Sequence, residues 1–139
     1  MTPSRPPHRA ADLIAFADAL LQAAGMPGDK AQAVADILVD GDLMGHTTHG
    51  LQLLPSYLRE VEAKSMQVDG EPEVIAESPA TLTWDGRRLP GPWLVLRAMA
   101  AATDKARHCG TGTVVIRKSH HIACLASFHK RATDQGLMM

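Results

Sequence analysis

Apolar and polar residues alternate at three- and four-residue steps through the first half of the chain, which is the period of an amphipathic helix. Three stretches follow this pattern and predict helices over residues 10–24, 31–44 and 50–64. Asp29 stands just before the second stretch, where its carboxylate is suited to cap the helix, and the hydroxyls of Thr47 and Thr48 are suited to cap the third. The first half is therefore predicted to be helical.

The second half changes to short apolar runs between turn residues, a pattern typical of strands. It predicts strands over 73–77 and 81–84, a helix over 93–108, a strand over 113–117, a helix over 122–135 and a further strand from residue 136. The β-branched run 113–117 is expected to be buried on both faces. The last strand, helix and strand predict a parallel βαβ crossover.

Length and composition fit an ordinary globular protein of the α/β class, with 139 residues of which 45% are hydrophobic and 21% charged. Residues 1–8 are expected to be a disordered lead-in because they hold three prolines. Residues 9–66 form a predicted helical region. Residues 67–139 read as the beginning of an α/β domain, and the unpaired last strand predicts that this domain is truncated.

Charge and apolar content exclude some partners. The formal net charge is −1 and no Lys/Arg-rich run occurs, which disfavours nucleic acid. No stretch approaches the roughly 20 apolar residues of a membrane span, which disfavours membrane insertion. Cys109 and Cys124 have no CxxC partner, so both are expected to be reduced thiols in a cytoplasm, buried as small residues.

The segment Gly45-His46-Thr47-Thr48-His49-Gly50 lies between two predicted helices and carries the first candidate chemistry. Histidine has an unperturbed pKa of about 6.5, so it can give and take a proton near neutral pH. A histidine held at a helix entrance would have its ring free to face a cleft. The alternative is that these histidines only cap a helix or face solvent.

A second polar segment, Lys118-Ser119-His120-His121, follows the predicted strand 113–117. Ligands bind outside the carboxyl ends of strands in open α/β sheets, so these side chains are candidate ligand contacts. Capping of the next helix is the alternative. The two histidine pairs also suggest a metal site. However, no Asp, Glu or Cys stands at a familiar ligand spacing from either pair, so no metal ligand is assigned. No Gly-x-Gly-x-x-Gly fingerprint lies between a strand and a helix.

Taken together and in order, several motifs resemble the malate/L-lactate dehydrogenase family of NAD(P)-dependent 2-oxo acid reductases. The motifs are 45–50, then Leu54 and Tyr57, then Asp85-Gly86 and Gly91, then 115–121. The resemblance runs from about residue 10 to 139. It implies a fold that is not of the Rossmann type, NAD or NADP as cofactor, a small 2-oxo or 2-hydroxy acid as substrate, and a homodimer. Residues 9–66 would then be the substrate and dimerisation region, and 67–139 the start of the cofactor domain.

Carried over by position, the resemblance implies that His49 is the general acid/base of a hydride transfer between NAD(P) and a 2-hydroxy acid. His121 would be the second catalytic histidine. Residues near substrate or cofactor would be His46, Thr48, Arg117, Ser119 and His120. Thr48 stands where the family commonly has serine and keeps the hydroxyl.

Three positions depart from the family pattern. Leu53 replaces an arginine suited to a substrate carboxylate, Ala123 replaces a frequent glycine, and Ser127 replaces a frequent aromatic residue. Family members are also about twice as long, and the missing half would hold most cofactor-binding residues. A truncated dehydrogenase is therefore expected, with a non-catalytic oligomerisation or binding module as the alternative.

Overall fold

The computed structural model describes residues 7–139. The disorder predicted for residues 1–8 falls mainly on residues 1–6, which lie outside the described residues. Pro7 and His8 are exposed and belong to no helix or strand. Regular structure begins at Ala10, close to the predicted start.

The first half is helical, as predicted. It consists of α1 (Ala10–Ala23), α2 (Gly28–Leu43), two short 3-10 turns (Thr47–His49 and Leu51–Leu53) and α3 (Leu54–Glu62). Most of α2 is buried because this helix packs against α1, α4 and α5. The carboxyl end of α2 is therefore held in place, and residues 44–50 follow directly from it.

The second half is a three-stranded sheet with two helices. The elements are β1 (Glu73–Glu77), β2 (Thr81–Asp85), α4 (Gly91–Cys109), β3 (Thr113–Arg117) and α5 (Ala126–Thr133). The strand order is β1-β2-β3, with β1 antiparallel to β2 and β2 parallel to β3. The mixed helix and strand content confirms the predicted α/β class.

The parallel crossover begins one strand earlier than predicted, at β2 and not at β3. It runs β2, α4, β3, because the 19-residue helix α4 gives the long return that parallel strands need. The strand predicted from residue 136 is wrong, since residues 136–139 pair with no strand of the described chain. A short apolar run becomes a strand only where a partner strand accepts its hydrogen bonds.

The expectation that β3 is buried on both faces is also wrong. Its residues alternate between exposed and half-buried, and Val115 is 55% exposed. Val114 and Ile116 pack against a small cluster that includes Trp84 and Ala98, so only one face is covered. The continuous β-branched run hid this alternation, because both faces carry apolar side chains.

The main hydrophobic core joins the two halves. Leu21, Ile37 and Leu38 of the first helices share one buried cluster with Ala123 and Phe128 of the last segment. The division into a region 9–66 and a region 67–139 stays a prediction. No helix within residues 7–139 combines the length and apolar character needed to cross a membrane.

Two predicted helix starts are wrong. Helix α2 begins at Gly28 after Pro27, so Asp29 lies inside the first turn, and its carboxylate accepts a 3.0 Å hydrogen bond from Trp93 Nε1 of α4 instead of capping. Helix α5 begins at Ala126 and not at residue 122, because Ala123 adopts the left-handed conformation (φ 59°) and interrupts the backbone.

Candidate functional site

The turn after α2 places His49 at the surface. The His46 amide donates a 2.8 Å hydrogen bond to the Gly41 carbonyl, and the His49 amide donates a 2.8 Å bond to the His46 carbonyl. His49 closes the first 3-10 turn and is exposed. Its Nδ1 lies 3.0 Å from the Thr48 hydroxyl, so Thr48 contacts His49 directly.

The cap of the following turn comes from Asp42 and not from a threonine. Asp42 Oδ2 accepts a 2.9 Å hydrogen bond from the Leu51 amide, whereas Thr47 and Thr48 make no cap hydrogen bond. A Cβ at residue 50 would collide with the Asp42 carboxylate, which explains why glycine stands there. The carboxylate thus locks the turn that carries His49 onto the end of α2.

The second histidine segment is held over the start of α4. The Arg88 amide donates a 2.8 Å hydrogen bond to the Lys118 carbonyl, and the His120 amide donates a 3.2 Å bond to the Leu89 carbonyl. Gly91 lies so close to the carbonyls of His120 and His121 that a Cβ there would collide with them. This close approach fixes the backbone at both histidines.

The structure brings the two expected catalytic residues together. The imidazole rings of His49 and His121 are stacked, with centroids 6.0 Å apart and planes inclined by 24°. Both residues are exposed. Two histidines from distant parts of the chain therefore face one small volume that a substrate can reach.

Tyr57 of α3 completes this histidine pair. Its hydroxyl donates a 2.8 Å hydrogen bond to the His121 carbonyl and lies 3.3 Å from His121 Nδ1. Burial raises the pKa of Tyr57, so the hydroxyl stays protonated. The sequence motif contained Tyr57 but gave it no role.

His121 carries a lowered pKa. Burial is the largest cause, and the neighbouring His49 and His120 add to it because a second positive charge nearby is unfavourable. The Ala123 amide donates a 3.1 Å hydrogen bond to His121 Nδ1. These contacts favour the neutral ring.

His120 lies deeper than His121. Its ring centroid is 6.4 Å from that of Tyr57, and its Nε2 is 3.6 Å from Glu60 Oε2. Burial lowers the pKa of His120, and the Glu60 carboxylate opposes that shift. Its Nδ1 is buried and has no hydrogen-bond partner among residues 7–139. His120 therefore packs beside Tyr57 and Glu60 and is less exposed than the neighbouring His121.

The remaining expected site residues lie around this cluster. Arg117 and Lys118 each place a nitrogen 3.0 Å from Asp85 Oδ2, so Arg117 is engaged in an ion pair with a buried carboxylate. The Arg87 amide and then Lys118 lower the pKa of Asp85. The Ser119 hydroxyl donates a 2.8 Å hydrogen bond to the His120 carbonyl.

His46 is exposed, and its carbonyl supports the His49 turn. Leu53, at the position of the family arginine, is half-buried and packs against the main core. Ser127 is fully buried, and its hydroxyl has no partner in the part of the chain that the structure describes. These positions add no free cation to the histidine pair.

Metal and thiol chemistry find little support. Within the described range 7–139, no group of three or more His, Cys, Asp or Glu side chains could hold a metal ion. Cys124 is buried and free, as expected for a small core residue. Cys109 is free but exposed, so its predicted burial is wrong. Cys109 is the last residue of α4, where the helix emerges from the core into solvent.

The chain is 31% identical to hydroxycarboxylate dehydrogenase B of Escherichia coli (strain K12) over 133 residues, 94% of this chain and 37% of the relative. It is 30% identical to L-sulfolactate dehydrogenase of Methanocaldococcus jannaschii over 119 residues, 86% of this chain and 35% of the relative.

The structure of malate dehydrogenase from Pyrococcus horikoshii OT3 superposes with a TM-score of 0.88 at 31% identity, covering 91% of this chain and 36% of that chain. These similarities define the class as the hydroxy acid dehydrogenases. Residues 8–139 match the family model described as malate/L-lactate dehydrogenase. The chain belongs to this family, and it spans about a third of the length of the relatives it matches.

Proposed function

We propose that this chain carries the proton-transfer residues of an NAD(P)-dependent 2-hydroxy acid dehydrogenase. The observation that carries the proposal is the stacked pair of exposed rings, His49 and His121, with centroids 6.0 Å apart. The relatives named above support the substrate class, because their names refer to hydroxycarboxylate, sulfolactate and malate. Malate and sulfolactate are 2-hydroxy acids, and hydroxycarboxylate is the wider class that contains them.

In the proposed reduction, a protonated His49 donates its proton to the carbonyl oxygen of a 2-oxo acid, and a neutral His49 is left behind. In the oxidation, neutral His49 takes the hydroxyl proton back. A nicotinamide cofactor, NAD or NADP, would deliver or accept the hydride at the carbon. His121 lies close enough to contact the same oxygen, while Thr48 holds the His49 ring through its 3.0 Å contact.

The glycines after β2 and at the start of α4 do not form a phosphate-binding turn. A phosphate-binding turn needs an open helix N-terminus beside glycines. Here the carbonyls of His120 and His121 fill the space beside Gly91 at the start of α4, and Leu94 and Ile116 fill the space beside Gly86. No residue of residues 7–139 is therefore assigned to the cofactor's phosphates.

The supporting roles follow from contacts. Ser119 and His120 would shape the backbone that carries His121, and Arg117 would anchor the same segment through Asp85. His46 would support the His49 turn. The proposed regions keep their roles, with 9–66 for substrate and dimerisation and 67–139 for the cofactor domain. A homodimer in the cytoplasm is proposed, and the free thiols Cys109 and Cys124 support that compartment.

The test is oxidation of NADH or NADPH by this chain with a panel of 2-oxo acids, including pyruvate, oxaloacetate and sulfopyruvate. Turnover with a 2-oxo acid, lost in His49→Ala, is the expected result. Turnover that survives His49→Ala would overturn the role of His49. Absence of turnover with every acid would count against the proposed dehydrogenase function of this chain and favour the second candidate function below.

A second candidate function is a non-catalytic oligomerisation or binding module. The observation that favours it is apolar surface on the sheet, where Val74, Ile75 and Val115 are 55%, 43% and 55% exposed. Surface of this kind commonly marks an interface. A stable dimer that binds no nicotinamide would support this function.

A further inference from the structure

Tyr57 contacts His121 through both its ring and its hydroxyl. It is the one tyrosine of the chain, and it is buried in α3. Its ring stands edge-on to His121, with centroids 6.3 Å apart and planes inclined by 84°. Its hydroxyl reaches both the carbonyl and the Nδ1 of His121. One side chain thus touches both the backbone and the ring of a proposed catalytic residue.

A backbone amide also faces the Nδ1 atom of His121. The Ala123 amide lies 3.1 Å from His121 Nδ1, and an amide N–H can only donate. His121 Nδ1 must therefore be the unprotonated acceptor, and in a neutral imidazole the proton then sits on Nε2. The left-handed conformation of Ala123 (φ 59°) accompanies this contact between residues 121 and 123.

The two histidines consequently differ. His121 Nδ1 accepts the Ala123 amide proton, while the single Tyr57 hydroxyl proton goes to the His121 carbonyl, and this leaves Nε2–H as the free group of the ring. His49 Nδ1 faces only the Thr48 hydroxyl, which can either give or accept a hydrogen bond. The contacts of His49 thus do not fix which ring nitrogen carries a proton, whereas the Ala123 amide fixes this for neutral His121.

We propose that Tyr57 is a positioning residue. Its hydrogen bond to the His121 carbonyl holds residues 121–123 in place, so that the Ala123 amide fixes His121 as the neutral Nε2–H tautomer. His121 then presents a hydrogen-bond donor to the substrate oxygen while His49 exchanges the proton. This division of labour rests on the proposed function, but the tautomer itself does not.

The experiment is ¹⁵N NMR of the histidine rings in the full chain without substrate or cofactor. Wild type is expected to show neutral His121 with Nδ1 unprotonated and Nε2 protonated. A ring protonated on Nδ1 would overturn the proposal without any variant. This arm needs no turnover, so it stays decisive even if the chain is inactive.

Tyr57→Phe supplies the second arm. Loss of the hydroxyl frees the His121 carbonyl, so the His121 signals are expected to move to the average of two tautomers. In an active preparation kcat is expected to fall by about tenfold or more with little change in KM. The matched control is Ser56→Ala, which removes the neighbouring helix hydroxyl and is expected to leave the ring signals unchanged.

The outcomes separate the two proposals. A wild-type ring pattern retained in Tyr57→Phe would overturn the role of Tyr57 while leaving the dehydrogenase proposal intact. Activity retained in His49→Ala would overturn the dehydrogenase assignment of His49 and leave the His121 tautomer to be judged by NMR alone.

Discussion

At the residue scale, Gly50 shows how a small side chain positions His49. The Asp42 carboxylate occupies the space where a Cβ at residue 50 would lie, and it accepts the Leu51 amide at 2.9 Å. Adding one methyl group must displace this carboxylate. The bond that ties the His49 turn to α2 is then lost.

Gly50→Ala is therefore expected to lower the free energy of unfolding by about 1–2 kcal/mol, the usual cost of a lost cap. Urea denaturation measures it. The matched control is Gly28→Ala at the start of α2, where the nearest atoms, those of the Gln22 amide, are 3.8 Å away. That change is expected to leave stability equal or slightly higher. Equal effects of both substitutions would contradict the role of Asp42.

Residues with distinctive chemistry could be predicted from sequence, and those that support them could not. His49 and His121 stood in recognisable motifs, and the structure brings their rings together. Tyr57 and Asp42 act through contacts with residues far along the chain, which no local pattern reveals. The left-handed Ala123 was equally hidden, because alanine favours a helix by propensity.

At the element scale, the end of α3 carries a strained residue. Lys64 has φ 56°, its amide bonds to the Val61 carbonyl, and the Ser65 amide bonds to the Glu60 carbonyl. These two bonds form a Schellman motif, whose left-handed position is best filled by glycine. A lysine there keeps the motif at a cost in backbone energy.

Lys64→Gly is expected to raise the free energy of unfolding by about 1 kcal/mol, since glycine adopts positive φ without strain. Lys64→Ala is the control for loss of the charged side chain, and it is expected to change stability little because alanine shares the strain. Thermal and urea denaturation of the three proteins compare them directly. A Lys64→Gly protein no more stable than Lys64→Ala would refute this explanation.

Periodicity predicted most elements but not their ends or their burial. Helices α1 and α4 and strands β1 to β3 lie close to where the pattern placed them. Some helix starts differ from the prediction. Asp29 is an example, because its carboxylate accepts a hydrogen bond from Trp93 of α4 and does not cap α2. The burial of β3 depends on what covers the sheet, and its own sequence carries no record of that.

At the scale of the whole molecule, the half-buried His120 and its neighbour His121 couple stability to pH. The pKa values of His120 and His121 are lowered in the fold, mainly by loss of hydration on partial burial, while an unfolded histidine titrates at about pH 6.5. The unfolded state therefore binds more protons in this range. Their contribution to stability is complete above about pH 6.5 and is lost as the pH falls toward the folded pKa.

The urea midpoint is accordingly expected to drop between about pH 7.5 and about pH 5.5. A His120→Gln, His121→Gln double variant is expected to flatten this slope, and His129→Gln, exposed on α5, is expected to retain it. Glu60 and Asp85 affect the urea midpoint only at lower pH, because carboxylates titrate at about pH 4. A wild-type midpoint that rises on acidification would contradict the sign.

The family assignment rests on the whole chain and not on one motif. The match covers residues 8–139, and the fold superposes on a malate dehydrogenase over 91% of this chain. Histidine spacing alone would have left metal binding and helix capping open. The combined order of motifs made the resemblance specific, and the superposition confirmed it.

The most direct test of the account compares kcat/KM for reduction of a 2-oxo acid by wild type, His49→Gln and His129→Gln. We expect His49→Gln to lower kcat/KM by about 100-fold or more, the usual contribution of a general acid, and His129→Gln to match wild type. A His49→Gln enzyme as active as His129→Gln would show that the proton comes from another group, and would contradict the role of His49 as general acid.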